Sequence, residues 1–461
     1  MDELWRMSAG ELAAAIARRQ VSSREVVEAH LARIEEVNPR VNAVTRVLAD
    51  EALAAADAAD RDLAAGASTG PLHGVPFTIK ENIDVAGTAT TSGVPALADA
   101  VADTDAPTVS RLKAVGAIPL ARTNLPEMGL RISTDNPLHG LTRNPWHPDL
   151  TAGGSSGGEG SALATGMSPL GLGNDLGGSL RNPAFCCGIT SLKPTPGRVP
   201  QATVIPPVDP PLAMQLMSVT GPMARRVGDL RTALTLVAGR DLRDPESVDA
   251  VLAGPAPPRR RAALVPTLSH VAVDPAISDA VRRAGDVLAD AGWEVIEAEP
   301  PELELVGELW SRILTADVAA LRPLIGELMS DEALSLLDTF IAAYPPAEMP
   351  AAMVHVERHR LVRAWSAFLS EHPVLVTPTW PQPPFPHGAD LDIEVTTSRL
   401  HLITPGNLLG LPSCAVPTGV ADGIPTGVQV YADLWREDLC LDAAEVIEDA
   451  LGVITPIDPT F

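Results

Sequence analysis

Cysteine is scarce in this chain of 461 residues: there are four, Cys186, Cys187, Cys414 and Cys440. They are too few and too scattered for a disulfide framework, and none forms a C-x-x-C pair, so the cytoplasm is the expected compartment. Basic residues are outnumbered, 34 Lys and Arg against 58 Asp and Glu, for a formal net charge of −24. A surface this acidic repels phosphate backbones and anionic lipid, so neither nucleic acid nor a membrane is an expected partner. No apolar run approaches the ~18 residues of a membrane span, and the stretch Met1 to Trp5 has no basic region leading into an apolar one, so no export signal is expected. Internal repeats are also missing, and the 44 prolines are dispersed rather than gathered into one tract. What the chain does have is apolar bulk, 46% hydrophobic against 20% charged residues, enough for a large core and too much for disorder.

The pattern along the chain predicts an α/β fold, a single large mixed β-sheet covered by helices on both faces. Residues 1–70 read as an N-terminal helical wrapper, with two S-x-x-E capping boxes, Ser8 to Glu11 and Ser22 to Glu25, opening helices and an Ala-rich run at 48–65. From Pro71 the texture changes to short β-branched segments, Val75 to Ile79 and Ile118 to Leu120, interleaved with helices such as Thr108 to Val115 and Val227 to Leu236. This stretch, 71–238, carries a lysine and the Gly/Ser-rich motifs. Residues 239–371 read as a variable helical insert, and 372–461 as the C-terminal part of the sheet, with strands near Val374, Ala415 and Val428.

The densest signal is Thr151-Ala-Gly-Gly-Ser-Ser-Gly-Gly-Glu-Gly160, followed by Gly171-Leu-Gly-Asn-Asp-Leu-Gly-Gly-Ser-Leu-Arg181. Glycine at this density marks unusual backbone angles or close approach of the main chain to a ligand. A nucleotide cradle does not fit, because no Gly-Lys-Ser/Thr closes either segment. Gly154 to Gly158 formally satisfies G-x-S-x-G, yet the polar, Pro-rich Asn144 to Asp149 stands where a nucleophile elbow needs an apolar strand. Tight turns alone would account for either segment taken singly. A third element changes that: Gly74-Val-Pro-Phe-Thr-Ile-Lys80 ends an apolar strand on a lysine, a residue seldom buried without a partner.

In this order, Lys80, then the GGSSGG of residues 153–158, then Asp175 to Arg181, the chain resembles the amidase signature family, serine hydrolases of amides that use a Ser-Ser-Lys triad. The resemblance spans nearly the whole chain, including Asn124-Leu-Pro-Glu127, Leu192-Lys-Pro-Thr195 and Gly410-Leu-Pro412, and is weakest between about 240 and 370. It implies the amidase signature fold, with Ser179 as nucleophile, Ser155 as bridging serine after a cis Gly154–Ser155 bond, and Lys80 as base. It also implies an oxyanion hole of the Leu176, Gly177, Gly178 and Ser179 amides, with Ser156, Asp175 and Arg181 supporting the triad. The segment after Asn-Leu-Pro would line the acyl pocket, which points to Met128, Gly129, Leu130 and Ile132. Met214, in the loop Ile205 to Met217, and Trp380 with Phe385 are further candidates for its wall.

The chemistry stands independently of the family. Amides resist attack and a serine hydroxyl is a weak nucleophile, so a base must take its proton as the new bond forms. A lysine serves only when neutral, and burial away from carboxylates brings its reference pKa of about 10.4 toward the roughly 7–8 useful for proton transfer. The resulting expectation is cleavage of a small carboxamide to carboxylate and ammonia or amine, with esterase activity alongside, and without cofactor or metal. His139, His147 and His387 lie in Pro-rich loops and read as surface or turn residues, and His355 with His359 as a solvated helix face. Two rivals use the same motifs: a glutamine-hydrolysing component of an amidotransferase, and a non-catalytic binding protein on the same scaffold. A homodimer would be an ordinary assembly for such a chain, although no segment demands one.

Overall fold

Successive residues of a β-strand point to opposite faces of its sheet, and the central strands of this protein are apolar on both. In a computed structural model that describes residues 3–67 and 69–461, Val374 and Val376 enter one hydrophobic cluster while Leu375 enters another, and Cys414 and Val416 part from Ala415 in the same way. Met1, Asp2 and Ser68, which belong to the reading of the N-terminus and of the 1–70 stretch, lie outside the described residues. A sheet apolar on both faces must be covered on both. The helices Val227–Val237, Pro275–Asp290 and Glu437–Leu451 lie over the first cluster, and Arg181–Cys187, Leu303–Ile325 and Ala351–Glu371 over the second.

Among the described residues the strands are β1 (Val44–Val47), β2 (Pro76–Lys80), β3 (Ile118–Thr123), the hairpin pair β4 (Arg143–Asn144) and β5 (His147–Thr151), β6 (Leu170–Asp175), β7 (Thr190–Lys193), β8 (Val219–Ala224), β9 (Arg261–Leu264), β10 (Glu294–Glu297), β11 (Val374–Pro378), β12 (Ser413–Ala421) and β13 (Ile424–Tyr431). Eleven of them form one mixed sheet in the order β1-β3-β2-β6-β8-β7-β12-β13-β11-β9-β10. β2 runs parallel to β3 and β6, whereas β6 and β7 both run antiparallel to β8. Both predicted capping boxes form: the Ser8 and Ser22 side chains accept from the Glu11 and Glu25 amides, and each Glu reaches back to its cap.

The sheet corrects the reading of two segments. The 239–371 stretch is not a purely helical insert, because β9 and β10 extend the far edge of the sheet from within it. Arg-Ala-Ala-Leu lacks β-branched residues and Glu-Val-Ile-Glu is a largely exposed edge, so neither has the usual strand signature. The glycine-rich Leu170–Asp175 is also a strand, central and nearly all buried, although glycine is depleted in strands. Its glycines make room: a Cβ at Gly171 would collide with the Glu159 carboxylate, and one at Gly173 would lie 2.8 Å from Ser156 Oγ.

Candidate active site

Lys80 closes β2, fully buried. Its Nζ donates to Ser155 Oγ at 2.7 Å and to Asn174 Oδ1 at 2.6 Å, and it makes no ion pair with a carboxylate among the described residues. Burial pushes its pKa down to about 7, against the opposing pull of Asp175 and Glu159. Glu159, on the helix Gly157–Ala164, accepts from the Thr123 hydroxyl at 2.7 Å and from that of Thr78. Burial pushes this carboxyl up to about 7, so near neutrality it carries only part of a charge to hold an ammonium in place.

Of the two serines, Ser155 contacts this lysine directly. Gly154–Ser155 is a cis peptide bond. Gly129, with a φ of +71°, packs over Ser155, and a Cβ there would lie 3.3 Å from Ser155 Oγ. Ser156 N–H donates to the Ser179 carbonyl at 3.3 Å, which ties the 153–158 loop to the turn after β6, and Ser156 Oγ stands 3.5 Å from the Asn174 carbonyl. The Ser179 side chain opens into the pocket and makes no hydrogen bond among the described residues. The structure thus joins Lys80 to Ser155 directly and brings Ser179 alongside through the backbone, with the Ser155–Ser179 hydroxyl contact open.

Asp175 shapes the turn that follows β6. Its carboxylate accepts from the N–H groups of Gly178 (2.6 Å) and Leu180 (3.2 Å), from Asn407 Nδ2 (2.8 Å) and from Arg181 Nε (3.1 Å). Burial alone would raise its pKa; the Arg181 and Lys193 charges and these donors hold it well below the usual carboxylate range. Arg181 in turn donates to the Ile403 carbonyl, Gln429 Oε1, Tyr431 Oη and Asn407 Oδ1. Among the four amides expected to form an oxyanion hole, that of Gly178 is committed to Asp175. Those of Leu176, Gly177 and Ser179 donate to no acceptor among the described residues.

A cleft of about 650 Å³, counting its mouth, opens beside Ser179. Gly129, Leu130 and Ile132 line it, next to Leu176 and Gly177. The other wall comes from the helices Leu303–Ile325 and Asp331–Ala343, which present Trp310, Leu314 and Val318 at i, i+4, i+8 spacing and Leu336, Leu337 and Phe340. Four expected wall residues, Met128, Met214, Trp380 and Phe385, are elsewhere. Met128, with φ +52°, packs into a separate cluster with Val94 and Leu334, and Met214 lies on the short helix Leu212–Met217 outside the cleft. Trp380 has no exposed surface: its indole N–H donates to Asn182 Oδ1 at 2.7 Å, and its ring stacks on Phe385 at 5.4 Å. A buried tryptophan with its N–H satisfied is a core residue.

Sequence reasoning missed Asn174, Glu159 and Trp310. Asn174 stands inside the Gly171 to Arg181 motif, and its place one residue before Asp175 on an alternating strand was the available signal. His139 lies in a turn, partly exposed, with its Nε2 2.8 Å from Glu81 Oε2. No histidine among the described residues hydrogen-bonds to Ser155, Ser156 or Ser179.

A large mixed sheet with a buried lysine on a serine hydroxyl, beside a second serine in an apolar cleft, is the architecture of an amide hydrolase. The family model described as Amidase matches residues 25–441, and the chain belongs to the amidase signature family. Indoleacetamide hydrolase of Bradyrhizobium diazoefficiens is 43% identical to it over 459 residues, 98% of this chain and 88% of the relative. A glutamyl-tRNA(Gln) amidotransferase component of Thermus thermophilus is 34% identical, over 96% of this chain and 97% of its own. The solved structure of 6-aminohexanoate cyclic dimer hydrolase complexed with substrate is similar with a TM-score of 0.84 at 28% identity, covering 97% of this chain and 98% of that one. No helix among the described residues is long and apolar enough to cross a membrane.

Proposed function

We propose that the protein hydrolyses a small primary carboxamide bearing an apolar, aromatic acyl group, through an acyl-enzyme on Ser179 with Ser155 and Lys80 as the proton relay. The observation that carries this reading is the 2.7 Å contact between a fully buried lysine, without a carboxylate ion pair among the described residues, and the Ser155 hydroxyl. Neutral Lys80 takes the Ser155 proton as Ser155 takes that of Ser179, whose Oγ attacks the amide carbon. The developing oxyanion turns toward the amides of Leu176, Gly177 and Ser179. The relay then runs backwards to protonate the nitrogen, ammonia departs, and water cleaves the acyl-enzyme by the same path. The Ser155–Ser179 contact closes when substrate is seated, since catalytic hydrogen bonds are commonly longer before that point.

Leucine, valine and aromatic side chains dominate the cleft, and its charged lining residue, Arg131, is already paired with Asp390 at 2.8 Å and Glu332 at 3.1 Å. Glutamine would bring an ammonium and a carboxylate into these walls without free partners, which disfavours the amidotransferase reading. A flat arylacetamide, the kind of compound named in the Bradyrhizobium relative, suits them. The test is a panel of arylacetamides, aliphatic amides and glutamine, with mass-spectrometric mapping of a fluorophosphonate adduct. Turnover of arylacetamides by the chain alone and an adduct on Ser179, both lost in Ser179→Ala, are expected. Turnover of glutamine alone, or an adduct on another residue, would overturn the reading.

A further inference from the structure

We propose that Trp310 is a positioning residue that aims the Gly177 amide at the reacting carbonyl oxygen; this rests on the reading of Ser179 as nucleophile. Trp310 sits on the helix Leu303–Ile325, 5% exposed, and its Nε1–H donates to the Leu176 carbonyl oxygen at 2.9 Å. That carbonyl and the Gly177 N–H belong to one planar trans peptide unit and point in opposite directions, so holding the oxygen sets the direction of the N–H. The ring lies against the same unit from the side: a Cβ at Gly177 would collide with Trp310 Cζ2. Glycine at 177 therefore admits the indole, and the indole in turn immobilises the peptide.

The rest of the turn is held by another device. Asp175 takes the N–H groups of Gly178 and Leu180, and nothing in that arrangement constrains the Leu176–Gly177 peptide one step earlier. Trp310 supplies the missing restraint. A hydrogen bond donated to the carbonyl oxygen also polarises the peptide and makes its N–H a better donor. The same ring lines the cleft together with Leu314 and Val318, one and two turns further along its helix. An acyl group that fills the cleft touches this ring, so occupation of the pocket and alignment of the amide become coupled through one side chain.

The experiment separates a positioning role from that of a simple wall. Trp310→Phe keeps an aromatic ring and removes the N–H; benzothienylalanine in place of Trp310 keeps the shape as well, and serves if the phenylalanine variant folds poorly. Kinetics on an arylacetamide are measured with inhibition by the corresponding aldehyde, which forms a tetrahedral adduct, and by the product carboxylate. A fall in kcat of about tenfold is expected, with KM and carboxylate inhibition within about twofold and aldehyde affinity lowered in step with kcat. Unchanged kcat and aldehyde affinity, or a change confined to KM, would overturn the proposal. Fluorophosphonate adducts mapped on the same preparations tell the two failures apart. An adduct on Ser179 with unchanged kcat removes the positioning role alone, whereas an adduct elsewhere removes the nucleophile assignment beneath it.

Discussion

Lys80 and Lys193 end two strands of the same sheet, each without exposed surface, and burial pushes each down to about 7. Their neighbours differ. Lys80 donates to a hydroxyl, that of Ser155, and to an amide oxygen, that of Asn174. Lys193 donates to the carbonyl of the next residue, Pro194, at 2.8 Å, with Arg181 adding to its depression while Asp175 and Glu437 oppose it. A carbonyl has no proton to surrender, so an uncharged amine beside it has nothing to accept. Desolvation is the largest cause of depression in both lysines; service as a base also requires a neighbour that can hand over a proton.

The largest expected contrast is in turnover. Lys80→Ala should lower kcat on the order of a thousandfold, the usual scale of a general base, and Lys193→Met by less than about threefold, in steady-state kinetics with an arylacetamide. Equal losses would erase the distinction. A subtler test supplies the ion pair that Lys80 lacks. Asn174→Asp places a carboxylate on its Nζ, favours the ammonium, and should raise the acid limb of the kcat/KM profile by about one to two pH units. In the unaltered protein that limb should fall through about 7, because protonated Lys80 cannot accept a proton. An unmoved limb in Asn174→Asp would show that some other group sets it.

The smallest effect is on stability, and there the two lysines should behave alike. Each has a folded pKa near 7 and an unfolded one of about 10.4, so between these values the unfolded chain binds more protons. Stability contributed by these sites therefore rises as pH increases from about 7 to about 10, and is lowest below 7. Lys193→Met should flatten the rise in urea midpoint across that window while leaving the acid limb of activity in place. A slope as steep as in the unaltered protein would mean that Lys193 keeps its proton when folded.

Much of the site was legible because its pieces are contiguous in sequence. Lys80 at a strand end, the 153–158 glycine-serine run and Asp175 to Arg181 each carry their own local signal, and their order along the chain supplied the resemblance. Trp310 carried none. Its partner Leu176 is 134 residues away, and an apolar helix gives no sign of which residue meets which loop. Met128 and Met214 were expected in the wall for their closeness to the motifs and their adaptable side chains. The backbone turned them elsewhere, Met128 through a left-handed conformation. β6 was hidden for the opposite reason, since its glycines answer to Glu159 and Ser156 packing above them, a demand that propensity does not register.

By itself the sequence determined where helices begin, since a capping box needs only residues three apart, and which residue types stand at the strand end and in the glycine loops. Tertiary structure decided which buried lysine meets a hydroxyl, which amides of the turn are left without an acceptor, and which helices wall the pocket. Those outcomes depend on burial and on distances between segments far apart in the chain, and both come into being only when the sheet assembles.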